Sequence, residues 1–306
     1  MNRRRWLGVF CLLGLLVFLL EAGWFSSPIS WQQSSGWSEL DKQPQIGDHA
    51  GPQISWLGHS GFLLTWHGKN IVLDPNLSDT CVVVKRLIKQ ERPHWPGPID
   101  VALVSHAHYD HFDLPTLQSL PGLKTIIAPT GLDGYLPKDL ARVEFMGMNP
   151  GKTVQLGRLT VVAVPAIHGG NRFHPFRSVS PALGYIIGDG VTSLYFAGDT
   201  AYGDHFKQIA KDHQPQIAIL PIGAYEPHFV LRDHHMNPEE AVRAAVDLGV
   251  GTVIPCHFGT FRLAFDRPDS ALPRFAKAAE AETFDWYLPP LLGQIQRYGE
   301  HHARLY

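Results

Sequence analysis

A short segment in the first half of the chain is dense in potential metal ligands. It follows the apolar residues Val101 to Val104 and reads Ser105-His106-Ala107-His108-Tyr109-Asp110-His111. In an extended stretch His106 and His108 point the same way, because side chains repeat every two residues. As the chain turns into a helix beginning near Asp113, Asp110 and His111 can turn toward a neighbouring point. Imidazole and carboxylate together favour zinc, with iron or manganese as alternatives.

These residues are too few to complete two metal sites, so further ligands must come from elsewhere in the chain. Three polar residues share one context, since each follows a hydrophobic strand: His168 follows residues 159–167, Asp199 follows residues 193–198, and His257 follows residues 252–256. Loops at strand ends often carry functional residues. We therefore predict two metal ions held by five histidines and two aspartates.

The composition fits a globular enzyme built as one large domain. The chain has 306 residues, of which 44% are hydrophobic and 18% charged, typical of a folded protein with a full core. A formal net charge of −2 gives no strong field for nucleic acid, which we do not expect as a partner. The 17 histidines exceed what packing normally requires and indicate metal binding. The oligomeric state is left open.

The N-terminus is expected to be separate from the enzyme. Residues 1–27 are predicted to form a signal anchor or signal peptide, because Arg3-Arg4-Arg5 precedes an uninterrupted apolar run over residues 6–20. The poor cleavage context around Ala22 favours an anchor that is not removed. Either form would place the rest of the chain on the non-cytoplasmic, periplasmic side of the cell membrane. Residues 28–50 are predicted to be a linker and residues 51–306 the enzyme domain.

Hydrophobic patterns in the enzyme domain predict short strands and helices. The predicted strands are Ile54 to Trp66, Ile71 to Leu73, Val101 to Val104, Leu159 to Val164, Tyr185 to Ile187, Ser193 to Ala197, Ile217 to Leu220 and Thr252 to Ile254. Hairpin turns are predicted at residues 67–70 and 188–190. The clearest helix should be capped by Asn237, begin at Pro238 and end at Gly249. Hairpins first and strand-helix alternation later predict an α/β fold with two mixed β-sheets flanked by helices.

The cysteines add little to the functional argument. Cys11 lies in the N-terminal apolar run, which leaves Cys81 and Cys256 in the enzyme domain. A disulfide between them is possible in an oxidising compartment. Two buried free thiols are the simpler expectation.

The motifs resemble those of a known family. The His106 to His111 segment is similar to the signature of the metallo-β-lactamase superfamily, and Gly198-Asp199-Thr200 and His257 are similar to its later motifs. Longer stretches resemble the N-acyl-phosphatidylethanolamine phospholipase D family, namely Trp56 to Ser60, Leu73 to Pro75, Phe196 to Thr200, Pro221 to Pro227, Asn237 to Ala241 and His257 to Thr260. The resemblance covers residues 53–265 and implies an αββα sandwich.

The same resemblance implies roles for individual residues. It places His106, His108 and His168 on one metal ion, places Asp110, His111 and His257 on the other, and makes Asp199 the bridge between them. Asp74 would orient a ligand histidine. His235 would lie near the substrate and stabilise charge or donate a proton, although the adjacent His234 could take that place.

The implied activity is that of a phosphodiesterase of the phospholipase D type, acting on N-acyl-phosphatidylethanolamine-like lipids. These lipids would lie in the membrane to which the N-terminal segment would anchor the enzyme. The aromatic residues that could line an acyl groove are Trp66, Trp95, Phe173, Phe176 and Phe229. The alternative is a lactonase or amidase on the same metal ligands. A purely structural metal site is disfavoured, because such sites usually have a closed four-ligand shell rich in cysteine.

Overall fold

The computed structural model describes residues 51–88, 93–172 and 181–291. The first half contains strands Gln53–Gly58 (β1), Gly61–Trp66 (β2), Lys69–Leu73 (β3), Thr80–Cys81 (β4), Val84–Lys85 (β5) and Val101–Leu103 (β6), helix Leu114–Ser119 (α1), and strands Thr125–Pro129 (β7) and Glu144–Met148 (β8). Two short 3₁₀ turns, Leu132–Tyr135 and Lys138–Leu140, lie between β7 and β8.

The second half begins with four antiparallel strands. Its elements are Thr153–Leu156 (β9), Leu159–Pro165 (β10), Leu183–Gly188 (β11), Ser193–Phe196 (β12), helix His205–His213 (α2), Ile217–Pro221 (β13), helices His228–Leu231 (α3) and Pro238–Leu248 (α4), Thr252–Cys256 (β14), helix Ala271–Ala279 (α5) and Asp285–Trp286 (β15).

The strands form two large mixed sheets. The first has the order β1-β2-β3-β6-β7-β8 and the second the order β15-β14-β13-β12-β11-β10-β9. The first sheet is antiparallel from β1 to β3 and parallel from β3 to β8. The second is antiparallel from β9 to β12 and parallel from β12 to β15. The predicted two mixed sheets are confirmed.

Alternating side chains on the first sheet face two different apolar cores. Phe62 and Leu64 on β2 belong to the large core that also contains residues of the second sheet, whereas Leu63 faces a smaller core beneath α1. The same alternation separates Leu103 from Ala102 on β6, as expected for a period of two. Helices α4 and α5 contribute Ala241 and Phe275 to the large core. The arrangement is an αββα sandwich.

One predicted strand is wrong. The run Ile54 to Trp66 is two strands, because the chain reverses at Gly58 and His59, whose φ angles are 85° and 53°. The other predicted strands are confirmed, with ends shifted by one or two residues, and β2–β3 and β11–β12 are the predicted hairpins.

The predicted helix at Asn237 is confirmed as α4. The Asn237 side chain accepts the Glu240 backbone N–H at 2.8 Å, and the Glu240 carboxylate accepts the Asn237 N–H at 3.0 Å. These two bonds satisfy donors that the first helical turn leaves unpaired. Gly249, with φ 65°, ends the helix and leads into β14, which carries the predicted ligand His257.

Several smaller expectations are also tested. Cys81 and Cys256 are buried and free, as expected. Trp66 is 1% exposed and belongs to the large core, so its proposed place in an acyl groove is wrong. Trp95 packs against the smaller core, whereas Phe229 is exposed. Phe173 and Phe176 lie outside the described residues.

The predicted N-terminal anchor, residues 1–27, and linker, residues 28–50, also lie outside the described residues. Across residues 51–88, 93–172 and 181–291, no helix combines the length and apolarity that crossing a membrane requires.

Candidate metal centre

Three of the predicted histidine ligands converge beside the end of β6. His106 and His108 follow that strand, and His168 lies just after β10. The Nδ1 atom of His108 lies 2.9 Å from His106 Nε2 and 3.1 Å from His168 Nε2. The Oδ2 atom of Asp199 lies 3.9 Å from both of these Nε2 atoms. We name His106, His108, His168 and Asp199 the first cluster.

Asp199 also belongs to a second group of ligands on its other side. Its Oδ2 atom lies 3.1 Å from the Nε2 atoms of both His111 and His257. The Oδ2 atom of Asp110 lies 3.2 and 3.3 Å from the same two nitrogens. A tetrahedral site with bonds of about 2.0–2.2 Å has edges of about 3.3–3.6 Å, close to these separations. We name Asp110, His111, His257 and Asp199 the second cluster.

Asp199 can reach both clusters because the turn that carries it is tightly packed. Gly198 precedes it with φ 59°, and a Cβ atom there would lie 2.5 Å from Ser105 Cβ. Any larger residue would push the β12 turn away from the segment that carries His106. A glycine at this position therefore lets Asp199 stand between ligands from both halves of the chain.

The polar atoms of the clusters lack the partners that buried groups normally have. Among the described residues, His111 Nε2, His257 Nε2 and Asp199 Oδ1 are buried without a hydrogen-bond partner. Leaving such groups unsatisfied costs about 1–3 kcal/mol each, and more for charged groups. Metal coordination would satisfy them, so the residues present fit metal ions.

Burial keeps the histidines of the first cluster neutral. It lowers the pKa of His108 to about 4 and lowers the pKa of His106 and of His168. A metal ion binds the neutral form of imidazole, so the first cluster is ready to bind an ion at neutral pH.

The second cluster is dominated by its carboxylates. Burial favours the neutral carboxyl form, but His111 outweighs it and holds the pKa of Asp110 and of Asp199 well below the usual value. Burial likewise opposes a charge on His257, yet Asp199 and Asp110 raise its pKa to about 9. The same carboxylates and Asp74 overcome burial and raise the pKa of His111 well above its ordinary value. The second cluster therefore attracts a cation.

Asp74 supports ligands of both clusters, as expected for a residue that orients a ligand histidine. Its Oδ2 atom accepts a hydrogen bond from His111 Nδ1 at 2.6 Å, which leaves His111 Nε2 facing the second cluster. Asp74 also accepts the backbone N–H of Ser105 at 2.7 Å and the Ser105 hydroxyl at 2.5 Å. The same hydroxyl lies 2.9 Å from His106 Nδ1, so Asp74 reaches the first cluster through Ser105.

His235 and His234 have different surroundings. His235 lines the cavity beside the clusters, with its Nδ1 atom 3.9 Å from Asp199 Oδ2. The side chain of His234 is exposed, but its carbonyl oxygen lies 2.8 Å from His168 Nδ1. His234 thus supports a ligand through its backbone, and His235 is the histidine that faces the cavity.

The cavity is small and apolar on one side. Its volume is 210 Å³. The clusters and His235 form one part of its wall, and the remainder consists of Ala224, Leu231, Leu263 and Ala264. A substrate that reaches Asp199 therefore contacts aliphatic side chains at the same time.

Sequence reasoning missed two residues at this site. Arg172 donates from Nε to the Ala107 carbonyl at 2.6 Å and from its terminal nitrogen to the Phe112 carbonyl, so it fastens both ends of the ligand segment. His59 lies 2.9 Å from Asp110 through its Nε2 atom. The stretch Trp56 to Ser60 matched a family motif, but nothing in it indicated which residue His59 would contact.

Comparison with known proteins shows the family to which the chain belongs. A family model described as a β-lactamase superfamily domain matches residues 69–258. A metal-dependent hydrolase of Koribacter versatilis is 32% identical over 241 residues, covering 76% of this chain and 95% of the relative. The chain therefore belongs to the β-lactamase superfamily, within a group of metal-dependent hydrolases.

Other relatives are longer than the matched region. An uncharacterised protein of Mycobacterium tuberculosis is 37% identical over 254 residues, covering 77% of this chain but 66% of the relative. An N-acyl-phosphatidylethanolamine-hydrolyzing phospholipase D of Caenorhabditis elegans is 29% identical over 228 residues, covering 68% of this chain and 64% of the relative. The chain thus spans slightly less than two thirds of either protein.

A solved structure supports the fold. A metallo hydrolase from the archaeon Ignicoccus hospitalis superposes with a TM-score of 0.59 at 22% identity, covering 78% of this chain and 95% of the other. At this level of identity the likeness shows that the two chains share a fold.

Proposed function

We propose that this hydrolase uses two metal ions, expected to be zinc, to cleave a phosphodiester bond in a phospholipase D-type reaction. The proposed substrates are N-acyl-phosphatidylethanolamine-like phospholipids, which would yield a phosphatidic acid and an N-acylethanolamine. The observation that carries the proposal is Asp199 Oδ2, which faces ligand nitrogens of both clusters in the wall of a cavity. The similarity to the worm phospholipase supports the choice of substrate.

The protein's contribution is to bring two cation sites to one substrate atom. When bound, two metal ions lower the pKa of water to about 7 and neutralise charge on phosphoryl oxygens. The first cluster supplies three neutral imidazoles, and the second cluster supplies two imidazoles and the Asp110 carboxylate. Among the described residues these ligands converge without a protein nucleophile between them, so water is the proposed attacking group.

His235 is placed to assist the reaction from the cavity wall. Burial lowers the pKa of His235 to about 3, so its ring is neutral at pH 7. A neutral imidazole can donate one N–H to a phosphoryl oxygen or to the leaving oxygen. We propose that His235 stabilises the charge that develops there.

The apolar side of the cavity suits a lipid. Leu231 on α3 lines the cavity, and Phe229 on the same helix is 80% exposed. An acyl chain could cover these side chains while the headgroup ester reaches Asp199. The proposed N-terminal anchor would hold the enzyme at the membrane that contains such a substrate, on its periplasmic side.

The test is a comparison of substrates with the purified, metal-analysed protein. We expect N-acylated phospholipid to be cleaved faster than a simple phosphodiester, and both faster than a lactone. In water enriched in heavy oxygen, the label should enter the phosphatidic acid, because water attacks phosphorus. The Asp199→Asn variant gives the background rate. Turnover of the lactone alone, or label in a released fatty acid, would contradict the proposal.

A further inference from the structure

His59 lies at the turn between β1 and β2 and is anchored by its backbone. Its N–H donates to Thr260 Oγ1 at 2.7 Å, and its carbonyl accepts the Trp56 indole N–H at 2.9 Å and the His257 N–H at 3.2 Å. These bonds join the β1–β2 turn to the segment that carries the ligand His257. The position of the His59 ring is therefore set by the same contacts that set the second cluster.

The His59 side chain is directed at the second cluster. It is 1% exposed, and its Nε2 atom lies 2.9 Å from Asp110 Oδ2. Its ring centroid lies 4.1 Å from that of His257 and 5.6 Å from that of His111. His59 stands outside the proposed ligand set, yet its Nε2 atom lies closer to Asp110 Oδ2 than the Nε2 atoms of the ligands His111 and His257, which are 3.2 and 3.3 Å away.

Three other ligands have comparable supports. His111 donates to Asp74, His106 contacts Ser105, and His168 donates to the His234 carbonyl. Such outer contacts fix the direction of a ligand atom before the metal binds. A carboxylate such as Asp110 can rotate about its side-chain bonds, so it gains from a fixed donor on one side.

We propose that His59 is a positioning residue for the second metal ion: its Nε2–H donates to Asp110 Oδ2 and holds that oxygen toward His111 and His257. The inference rests on the two-metal arrangement of the proposed function but not on its substrate. Because the hydrogen bond of His59 goes to Asp110, its loss should weaken the second ion and leave the first in place.

The test uses the full-length protein, stripped of metal and titrated with zinc against a chromophoric chelator. We expect His59→Ala to weaken one of two binding steps by about 10–100-fold and to leave the other unchanged. His59→Gln should recover most of the loss, because its amide N–H can donate to Asp110. The affected step should be the one that His257→Asn also removes.

His67 is a matched control for His59, because it has a similar backbone conformation and also contacts a carboxylate. It too has a left-handed φ, 47° against 53° for His59, and its Nε2 atom lies 2.7 Å from a carboxylate, Asp189 Oδ2. Since that pair lies outside both clusters, His67→Ala should leave both binding steps unchanged. If His59→Ala does not fold, His59→Asn replaces it, because asparagine tolerates this φ and its amide is too short to reach Asp110.

Three results would overturn the proposal. Equal weakening of both steps would mean that His59 supports the whole fold, and unchanged affinity would mean that Asp110 needs no support. If His59→Gln lost the ion as fully as His59→Ala, His59 would itself be a metal ligand. The absorption spectrum of the cobalt-substituted variant would then differ from that of the cobalt-substituted wild type. None of these results depends on substrate, so failure of the lipid assay is a separate outcome.

Discussion

The first and second clusters share Asp199 but differ in charge. The first adds three histidines whose pKa values are lowered by burial, whereas the second adds Asp110 and two histidines whose pKa values are raised by carboxylates despite their burial. The first cluster therefore offers neutral lone pairs, and the second offers a negative charge that protons and metal ions compete to balance. Because the two clusters share Asp199 but have different charges, they can bind two ions with different affinities.

The largest effect is expected from the residue that the clusters share. Asp199→Asn removes the charge of the carboxylate that lies between the two ligand sets. Both binding steps should therefore weaken, and hydrolysis should fall by more than about 1000-fold, as expected when several kcal/mol of transition-state stabilisation is lost. Metal analysis and turnover measured on the same preparation check this. Full turnover in the variant would exclude a shared-metal mechanism.

Substitution of a ligand that belongs to only one cluster should affect only one of the two metal-binding steps. His168→Asn should abolish the step assigned to the first cluster, and His257→Asn the step assigned to the second, because Asp199 is the proposed ligand that lies near both histidines. The proportion of metal bound per chain after dialysis against a weak chelator is the measurement. If both variants lost the same step, the division into two clusters would be wrong.

His235→Ala should act on turnover and not on metal content. Its Nδ1 atom lies 3.9 Å from Asp199 and is not needed to complete either cluster, so both ions should remain while turnover falls by about 100-fold, as for loss of a general acid. His234→Ala should have a much smaller effect, because its carbonyl, not its exposed side chain, contacts His168. Loss of a metal ion from the His235 variant would make His235 a ligand.

Acidification should remove the second ion before the first. The pKa of His257 is about 9 and that of His111 is also raised, so protons compete for these nitrogens increasingly as pH falls below 9. The pKa of His108 is about 4, so protons compete little for it above pH 5. Each proton that the metal ion must displace weakens metal binding by up to about tenfold for every unit by which pH falls. Zinc titrations at several pH values across this range should show that only the step assigned to the second cluster weakens as pH falls. Equal weakening of both steps would contradict the difference between the clusters.

The candidate ligands were easier to predict from the sequence than the residues around them. All seven follow strands, where a polar residue after an apolar run is conspicuous, and the structure places them in two adjoining groups that could hold metal ions. His59 was missed because its function depends on Asp110, a partner 51 residues away, and a single buried histidine in a turn carries no local sign of that contact.

The unpredicted elements also have physical causes. Strand β8 reads Glu-Phe-Met-Gly-Met, which contains a glycine and lacks a clear alternation, and most of it is only half-buried. Helix α2 has no side-chain cap and buries only Phe206 and Ile209. Such segments are fixed by packing in the sandwich, whereas α4 combines a capping box with a continuous apolar stripe and could be located from its sequence alone.

The most direct test of the two-cluster centre is a crystal structure of the zinc-loaded protein with anomalous scattering measured at the zinc edge. We expect two peaks about 3.5–4 Å apart, one among His106, His108 and His168 and the other among Asp110, His111 and His257, with Asp199 between them. A single peak, or two peaks that do not share Asp199, would contradict it.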